Sequence, residues 1–383
     1  MRTQVGIVGA GPAGLTLARL LELAGIETVV LEDRTRDHVE HRIRAGVLEQ
    51  GTVELLRGAG VGSRLDREGI VHGGIHLQFD GERHHLPLAQ LAGGRSIVIY
   101  GQTEVVKDLI AARLESGLPL LFETPVESVD PARGVIRHAD GELECDVIAG
   151  CDGFHGVCRL SVPDGVLEIF EREYPFGWLG ILAEVAPSSD ELVYAHHERG
   201  FALLSLRSPE LSRYYVQCDP ADGPDAWPDE RVWDELGART ALDGWTLEEG
   251  PVVEKGVTPM RSFVTEPMQF GRLFLVGDAA HIVPPTGAKG LNLAVADART
   301  LAEALVDWYG GRGRELLDAY SVTCLRRVWR AEQFSYWMTS MLHKTGDDPF
   351  EQRLQLSQLR YVTSSAAAAT SLAENYVGLT TMD

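Results

Sequence analysis

Three glycines near the N-terminus, Gly9, Gly11 and Gly14, follow the G-x-G-x-x-G spacing that binds a dinucleotide pyrophosphate. The first permits a tight turn, the second lets backbone approach the pyrophosphate, and the third lets a helix pack closely on a strand. Glu32 ends the next apolar run, where an acid can accept hydrogen bonds from a ribose. The glycines alone are a weak signal, but the order strand, turn, helix, strand and acid predicts a dinucleotide site, with NAD and FAD both open.

Two arginines, Arg42 and Arg44, lead into Gly46 and a helix-like run soon after this motif. Guanidinium groups suit the neutralisation of phosphate beside an approaching ligand. A solvated pair is the commoner role for two such arginines. Their position just after the dinucleotide motif favours a ligand contact.

A second segment with unusual backbone chemistry is GDAAHIVPPTGAKGLNLA, from Gly277 to Ala294. Its glycines and its Pro284-Pro285 pair lie between an apolar, strand-like run and a helix-like run that begins near Leu291. Proline fixes φ and removes a hydrogen-bond donor, while glycine lets backbone come close to a ligand. The segment therefore predicts a strand-to-helix joint that faces a bound molecule.

These residues predict an α/β fold for the nucleotide-binding part, and an α+β organisation for the chain as a whole. We predict a Rossmann-like FAD-binding or NAD-binding domain over residues 1–170, to which a strand at 272–278 returns. Alternating apolar residues predict an antiparallel sheet over 171–265, and residues 266–383 read as a ligand wall followed by helices. Hairpin turns are predicted at Asp80-Gly81 and Asp140-Gly141.

Composition excludes several classes of protein. A net charge of -21 argues against nucleic-acid binding and gives no support for binding an anionic membrane. The five cysteines form no C-x-x-C pair, no metal-ligand spacing is present, and no apolar run reaches the roughly 18 residues that span a bilayer. We expect a cytoplasmic protein without a metal.

Taken together, the glycine motif, the Asp152-Gly153 pair and the Gly277-Asp278 pair resemble the FAD-dependent aromatic hydroxylases. Within that family the resemblance to the enzymes that act on 4-hydroxybenzoate covers essentially the full length. Further matching stretches are RIRAGVLEQG from Arg42, YGQTEV from Tyr100, AGCDGFHG from Ala149, YPFGWLG from Tyr174, SRYYVQ from Ser212 and AENYVGL from Ala373.

The resemblance implies that FAD is the cofactor and that NADH or NADPH is the co-substrate. The implied reaction is hydroxylation of 4-hydroxybenzoate at C3 by O2, through a flavin C4a-hydroperoxide, to give 3,4-dihydroxybenzoate. A related benzoate, such as 4-aminobenzoate or a dihydroxybenzoate, is the first alternative substrate. A flavin reductase without oxygenation, or a nucleotide-sensing protein without activity, is a further alternative.

The resemblance also implies the residues around the substrate. Ser205 and Arg207 would hold the carboxylate, with a further contact from Tyr215. Tyr194 would meet the phenolic oxygen, and the carbonyl of Pro285 would face the ring.

A proton relay is implied as well, because the phenol must lose its proton while the oxygenation site stays dry. It would run from Tyr194 through Tyr376 to His72, which lies at the outer end. Histidine titrates near neutrality and suits that position.

For the cofactor, the resemblance implies a set of FAD contacts in which Asp278 reaches the ribose and the helix beginning at Leu291 faces the flavin. Arg213 would take part in movement of the flavin ring. The implied FAD contacts are Gly9, Gly11, Gly14, Glu32, Arg42, Arg44, Ala45, Gly46, Val47, Gln102, Asp278, Leu291 and Asn292.

Coenzyme preference is where the chain departs from the family's pattern. Asp33 stands where an arginine is usual and His38 where a tyrosine is usual. A carboxylate repels a 2′-phosphate, although Arg34 and Arg36 act in the opposite direction. We therefore predict relaxed coenzyme use that leans toward NADH. The other residues implied in coenzyme use are Arg42, His155 and Arg261.

The family also suggests a homodimer. Trp329, Phe334 and Trp337 lie in the predicted C-terminal helices and could serve an interface, or could equally pack within the chain.

Overall fold

The glycine turn joins a buried strand to a helix in a computed structural model that describes residues 1–41 and 46–378. The strands are β1 (Arg2–Val8), β2 (Thr28–Leu31), β3 (Val47–Glu49), β4 (Ile70–His72), β5 (Ile75–Phe79), β6 (Glu82–Leu86), β7 (Ile97–Ile99), β8 (Leu120–Leu121), β9 (Val126–Asp130), β10 (Val135–His138), β11 (Gly141–Gly150), β12 (Glu168–Ala183), β13 (Val193–Ala195), β14 (Ala202–Ser208), β15 (Leu211–Cys218), β16 (Val252–Glu266), β17 (Gln269–Phe270), β18 (Leu273–Leu275) and β19 (His281–Ile282). The helices are α1 (Pro12–Leu23), α2 (Arg36–His41), α3 (Gln50–Gly58), α4 (Ser63–Glu68), α5 (Leu88–Leu91), α6 (Gln102–Glu115), α7 (Val157–Leu160), α8 (Asp229–Arg239), α9 (Gly290–Tyr309), α10 (Glu315–Asp318), α11 (Tyr320–Leu342), α12 (Pro349–Ser364) and α13 (Ala366–Val377). Short 3₁₀ helices lie at Pro224–Ala226, Gly277–Ala279 and Pro285–Gly287.

The first sheet has parallel strands at its centre, in the order β17-β18-β11-β1-β2-β8. Its central strands are buried and almost entirely apolar, as expected for parallel strands covered on both faces. Strand β18 pairs in parallel with β11, so the chain does return to this sheet after residue 270. The carboxyl ends of β1, β2 and β18 carry the glycine turn, Glu32 and the Gly277 turn.

The second sheet has the order β19-β16-β12-β15-β14-β13-β5-β6 and is antiparallel except between β13 and β5. Its last two strands come from residues 75–86, within the segment predicted as the first domain. The turn between them is Asp80-Gly81, with φ of 53° and 74° at the two residues. This hairpin is confirmed at its predicted residues. The second hairpin also forms, between β10 and β11, but its turn is Ala139-Asp140, one residue earlier than predicted, because Gly141 pairs with His138.

The two faces of the second sheet have different partners. One face, which includes Tyr214 and Val216, packs with Val232 and Leu236 of α8. The other, which includes Tyr194 and Trp178, belongs to a cluster with the C-terminal helices. Because side chains alternate along a strand, the residues on this second face all point toward α11 and α13.

The cysteines are buried free thiols in this fold. Over residues 1–41 and 46–378, no helix combines the length and the apolarity needed to cross a bilayer.

Candidate active site

In the N-terminal glycine turn, two glycines lie against the protein backbone and one faces open space. Gly9 has a φ of 103°, and a Cβ there would lie 2.4 Å from the Cys151 carbonyl oxygen. A Cβ on Gly14 would lie 2.0 Å from the Gly9 carbonyl oxygen. A Cβ on Gly11, by contrast, would meet no atom within 4 Å, so the N-terminus of α1 faces open space. This cradle fits a dinucleotide pyrophosphate.

Glu32 lies at the end of β2, directly beside the glycine turn. Its Oε2 accepts a hydrogen bond from the Ala10 amide at 2.7 Å, and its Oε1 accepts one from the Arg34 amide at 3.0 Å. Burial, reinforced by the neighbouring Asp33, raises the pKa of Glu32 to about 7. The carboxyl group is thus fixed at the carboxyl edge of the sheet, where a ribose would lie.

A buried ion pair holds the turn at Gly277, in the second segment with unusual backbone chemistry. Asp297 Oδ2 accepts a hydrogen bond from the Gly277 amide at 3.1 Å and lies 2.6 Å from His281 Nε2. Burial alone would lower the pKa of His281, but the Asp297 carboxylate raises it above its usual value. This pair holds the turn that leaves Asp278 exposed at the surface. Sequence reasoning missed Asp297 because it comes from a helix, 20 residues after Gly277.

The diproline turn packs on α11. Thr286 Oγ1 and Thr339 Oγ1 are hydrogen-bonded at 2.9 Å, and a Cβ on Gly287 would lie 2.6 Å from Ser335 Oγ. Pro285 itself is exposed between buried neighbours. The turn therefore presents Pro285 outward from a rigid support.

Asn292 uses its side chain to join helix α9 to the segment around β3. Its Oδ1 accepts hydrogen bonds from the Glu49 amide at 2.9 Å and from Thr52 Oγ1 at 2.8 Å, while its Nδ2 donates to the Val47 carbonyl at 3.0 Å. Because these bonds use the Asn292 side chain, a contact of this residue with a flavin would be made by its backbone.

Other predicted FAD residues lie around the same segment. A Cβ on Gly46 would lie 2.3 Å from the Tyr100 carbonyl oxygen, which accounts for glycine there. Gln102 begins α6 and is half-buried, as is Leu291 at the start of α9. Arg42, Arg44 and Ala45 lie outside the described residues.

The predicted substrate residues share one face of the second sheet. Tyr194 pairs with Leu203, and Leu203 pairs in turn with Tyr215. Ser205 pairs with Arg213 one step further along the same two strands. Because residues two apart on a strand face the same side, this register brings Tyr194, Ser205, Arg213 and Tyr215 to one surface.

Arg207 lies at an irregularity of strand β14. Leu206 pairs with Ser212 and Ser208 pairs with Leu211, so Arg207 is an extra residue without a partner position on β15. Such a bulge re-aims a side chain. The Arg207 guanidinium hydrogen-bonds the Tyr215 side chain, and burial together with the charge of Arg213 lowers its pKa.

Arg213 also lies close to Tyr215, with its guanidinium carbon 5.2 Å from the ring centroid. Two cations and a phenol thus converge at one end of the substrate face. The charge of Arg213 disfavours that of Arg207, so an anionic ligand would stabilise the Arg207 cation. A carboxylate has the charge and geometry that a guanidinium recognises.

Two buried tyrosines meet at the other end. The hydroxyls of Tyr194 and Tyr376 are hydrogen-bonded to each other, and both residues are 1 % exposed. Burial raises the pKa of each phenol, so both remain neutral at physiological pH.

His72 is not joined to this pair by a direct hydrogen bond. It is buried, burial lowers its pKa, and neither ring nitrogen has a hydrogen-bond partner among residues 1–41 and 46–378. Its place in the relay therefore stays a prediction.

Lys289 is a candidate functional residue that sequence reasoning missed. This buried ammonium donates to Glu49 Oε1 and to the carbonyls of Asn375 and Tyr376. It lies 5.9 Å from the Tyr376 ring centroid. Its ion pair with Glu49 and its bonds to these two carbonyls fasten the end of α13, which carries Tyr376, to the glycine-rich joint. The only signal in the sequence was its position within the glycine-rich joint.

The residues predicted for coenzyme binding form a second, more exposed group. Arg261 Nη1 lies 3.2 Å from Glu171 Oε1, and Arg261 Nη2 lies 3.5 Å from Glu173 Oε1. Its guanidinium carbon lies 4.7 Å from the Phe154 ring centroid, and the exposed His155 meets that ring edge-on. The charge of Arg261 is therefore already partly neutralised within the chain.

The arginines near the ribose acid are paired in the same way. Arg34 Nε lies 3.2 Å from Asp33 Oδ2, and Arg36 Nε lies 2.7 Å from Glu40 Oε1. His38 is exposed on the same short helix, α2. Arg34 and Arg36 thus each have a carboxylate beside them.

Comparison with solved structures shows the same fold. The p-nitrophenol 4-monooxygenase PnpA from Pseudomonas putida DLL-E4 superposes with a TM-score of 0.85, covering 99 % of this chain and 100 % of that chain at 20 % identity. The anhydrotetracycline hydroxylase OxyS from Streptomyces rimosus superposes with a TM-score of 0.78, covering 98 % of this chain and 76 % of that chain at 24 % identity.

Comparison of sequences gives the family. Residues 2–335 match the family described as FAD binding domain. The p-hydroxybenzoate hydroxylase of Acinetobacter baylyi is 49 % identical over 99 % of this chain and 96 % of its own length. The dialkyldecalin synthase of Streptomyces rugosporus is 30 % identical over 84 % of this chain and 69 % of its own length. The chain with the glycine cradle, the Gly277 turn and the tyrosine pair belongs to the FAD-binding monooxygenase family that includes p-hydroxybenzoate hydroxylase.

Proposed function

We propose that this protein hydroxylates 4-hydroxybenzoate at C3 to give 3,4-dihydroxybenzoate, using FAD, NADH or NADPH, and O2. The observation that carries the proposal is the substrate face of the second sheet, with Arg207 and Tyr215 at one end and the Tyr194–Tyr376 pair at the other. A para-hydroxylated benzoate has an anion and a phenol at opposite ends of one ring. The relative that is 49 % identical carries the name of this activity.

When bound, FAD would supply the activation of oxygen, and the chain would supply position, dryness and proton control. The Arg207 guanidinium would hold the carboxylate and so fix the ring relative to Pro285. The Tyr194 hydroxyl would accept the phenolic proton as its own proton passes to Tyr376, which would release its own proton toward His72. Burial of both tyrosines keeps water from the reacting carbon.

The test is incubation of the purified protein with FAD, NADH or NADPH, O2 and a panel of benzoates. We expect 4-hydroxybenzoate to stimulate coenzyme oxidation and 3,4-dihydroxybenzoate to form in step with it. Faster turnover of 4-aminobenzoate or of a dihydroxybenzoate would favour the alternative substrates. Coenzyme oxidation with no hydroxylated product from any of them would favour a reductase.

We also propose relaxed coenzyme use that leans toward NADH, because Arg34, Arg36 and Arg261 are paired with carboxylates. Replacing Asp33 with asparagine removes a negative charge next to Arg34 and should raise kcat/KM for NADPH roughly fivefold relative to NADH, the scale of one solvent-screened charge contact. Asp66→Asn is the matched control, since Asp66 forms a similarly exposed ion pair with Arg57 on another part of the surface. A strong NADPH preference in the unaltered protein would contradict this proposal.

A homodimer in the cytoplasm is proposed as well. Of the aromatic residues predicted for an interface, Phe334 is buried and Trp337 half-buried within the chain, so those two are internal packing residues. Trp329 is exposed and meets the exposed Phe170 ring edge-on at 5.3 Å, beside Ile169. This apolar surface is the candidate interface, and sedimentation of the purified protein as a monomer would exclude it.

A further inference from the structure

We infer that His76, His85 and Glu191 form a binding site for a divalent transition-metal ion, of which Zn²⁺ is the representative. One potential ligand atom from each residue lies within 4.8 Å of the other two. Two imidazoles and one carboxylate, with a further position open, are a ligand set that Zn²⁺ takes in proteins. None of these residues is among the predicted substrate residues or the predicted FAD contacts.

The two histidines are directly opposite each other on strands β5 and β6. The His76 amide donates to the Leu192 carbonyl, so the hydrogen-bonding groups of His76 point away from β6. The pair is therefore of the non-hydrogen-bonded kind, in which side chains lie closest. The ring centroids are 5.0 Å apart and the rings are inclined by 46°, so they are not stacked face to face.

The carboxylate is already held in place. Glu191 Oε1 accepts a hydrogen bond from the Gly74 amide at 2.6 Å, and Oε2 lies 2.8 Å from His85 Nε2. A Cβ on Gly74 would lie 2.3 Å from His85 Nε2, so glycine is what lets backbone come this close to the cluster. The structure thus orients one ligand from the backbone, as supporting hydrogen bonds do in metal sites.

His76 supplies the remaining donor. Its Nδ1 is buried and has no hydrogen-bond partner over the described part of the chain. A ring nitrogen of a neutral imidazole that makes no other hydrogen bond can bind a metal ion. To bind Zn²⁺, the ligand atoms must move to about 3.3 Å from one another, which is the separation that Zn–N and Zn–O bonds give in a tetrahedron. The half-exposed His85 ring leaves room for water as the fourth ligand.

Calorimetric titration of Zn²⁺ into the tag-free protein with its FAD, without substrate or coenzyme, tests the site. We expect one Zn²⁺ per chain and at least about tenfold weaker binding in both His85→Ala and Glu191→Gln, since even supporting residues of metal sites cost that much. His84→Ala is the matched control, because His84 is next to His85 on β6 but faces the other side of the sheet, against Phe79. Equal affinity in the two ligand variants and the unaltered protein, or an equal loss in His84→Ala, would overturn the inference.

Discussion

Replacing Tyr194 with phenylalanine is expected to lower the rate of hydroxylation of 4-hydroxybenzoate by at least about 100-fold, the scale of positioned proton transfer. The Tyr194 hydroxyl faces Tyr376 in a buried hydrogen bond, and no charged group is needed to hold it. Its removal breaks the path by which the phenolic proton leaves. The loss of one neutral hydrogen bond to the substrate costs only about 0.5 to 1.5 kcal/mol, so the Kd should rise by no more than about tenfold.

The measurement separates these two effects. Substrate Kd is determined without coenzyme, and product is then determined per coenzyme oxidised. Tyr214→Phe is the matched control, because Tyr214 is equally buried on β15 of the same sheet but faces α8 on the opposite side. Normal hydroxylation by Tyr194→Phe, or an equal loss in Tyr214→Phe, would show that the tyrosine pair is not the proton path.

Replacing Arg207 with alanine should have its largest effect on binding. Truncating one partner of a buried, hydrogen-bonded charge pair costs about 2 to 5 kcal/mol. Arg207 is only half-buried, so the lower part of that range applies and the Kd for 4-hydroxybenzoate should rise about 30- to 300-fold. Arg207→Lys should recover part of the loss, because lysine keeps the charge but not the paired donors.

A ligand without the negative charge provides the control. For 4-hydroxybenzamide, which replaces the carboxylate with a neutral amide, Arg207→Ala and the unaltered protein should differ by less than about threefold. This comparison isolates the carboxylate–guanidinium contact in the manner of a double-mutant cycle. If both ligands lose affinity equally, Arg207 supports the shape of the pocket and does not bind the carboxylate.

The dinucleotide fold could be predicted because its signals are local. Gly9, Gly11, Gly14 and Glu32 lie on one strand-turn-helix-strand unit, and their spacing sets their geometry. The hairpin turn at Asp80-Gly81 was predictable for the same reason, since both residues need a positive φ that aspartate and glycine tolerate.

The site was predictable only through the resemblance, because its contacts are not local. Tyr194 and Tyr376 are 182 residues apart, and no spacing rule connects them. The bulge that isolates Arg207 depends on how β14 and β15 align, and alternation alone gives that strand without the irregularity. Lys289 was missed because a buried lysine is recognisable only when its partners are in place.

The metal cluster shows the same limit. His85 and Glu191 are 106 residues apart, and a His-x-His or His-x₃-His search finds neither. Only the parallel pairing of β13 with β5 brings Glu191 beside the two histidines. When the ligands come from different strands, the order of strands in the sheet determines the site, and a sequence motif does not reveal it.

The contacts of Lys289 also set an order of events in the synthesis of the protein. The strand that carries Tyr194 leaves the ribosome well before helix α13, which carries Tyr376. Lys289 then binds the last residues of that helix, through the carbonyls of Asn375 and Tyr376. On the proposed function, a nascent chain can therefore present the carboxylate-binding end of the substrate face before the Tyr194–Tyr376 pair forms. Hydroxylation would then begin only once α13 has docked.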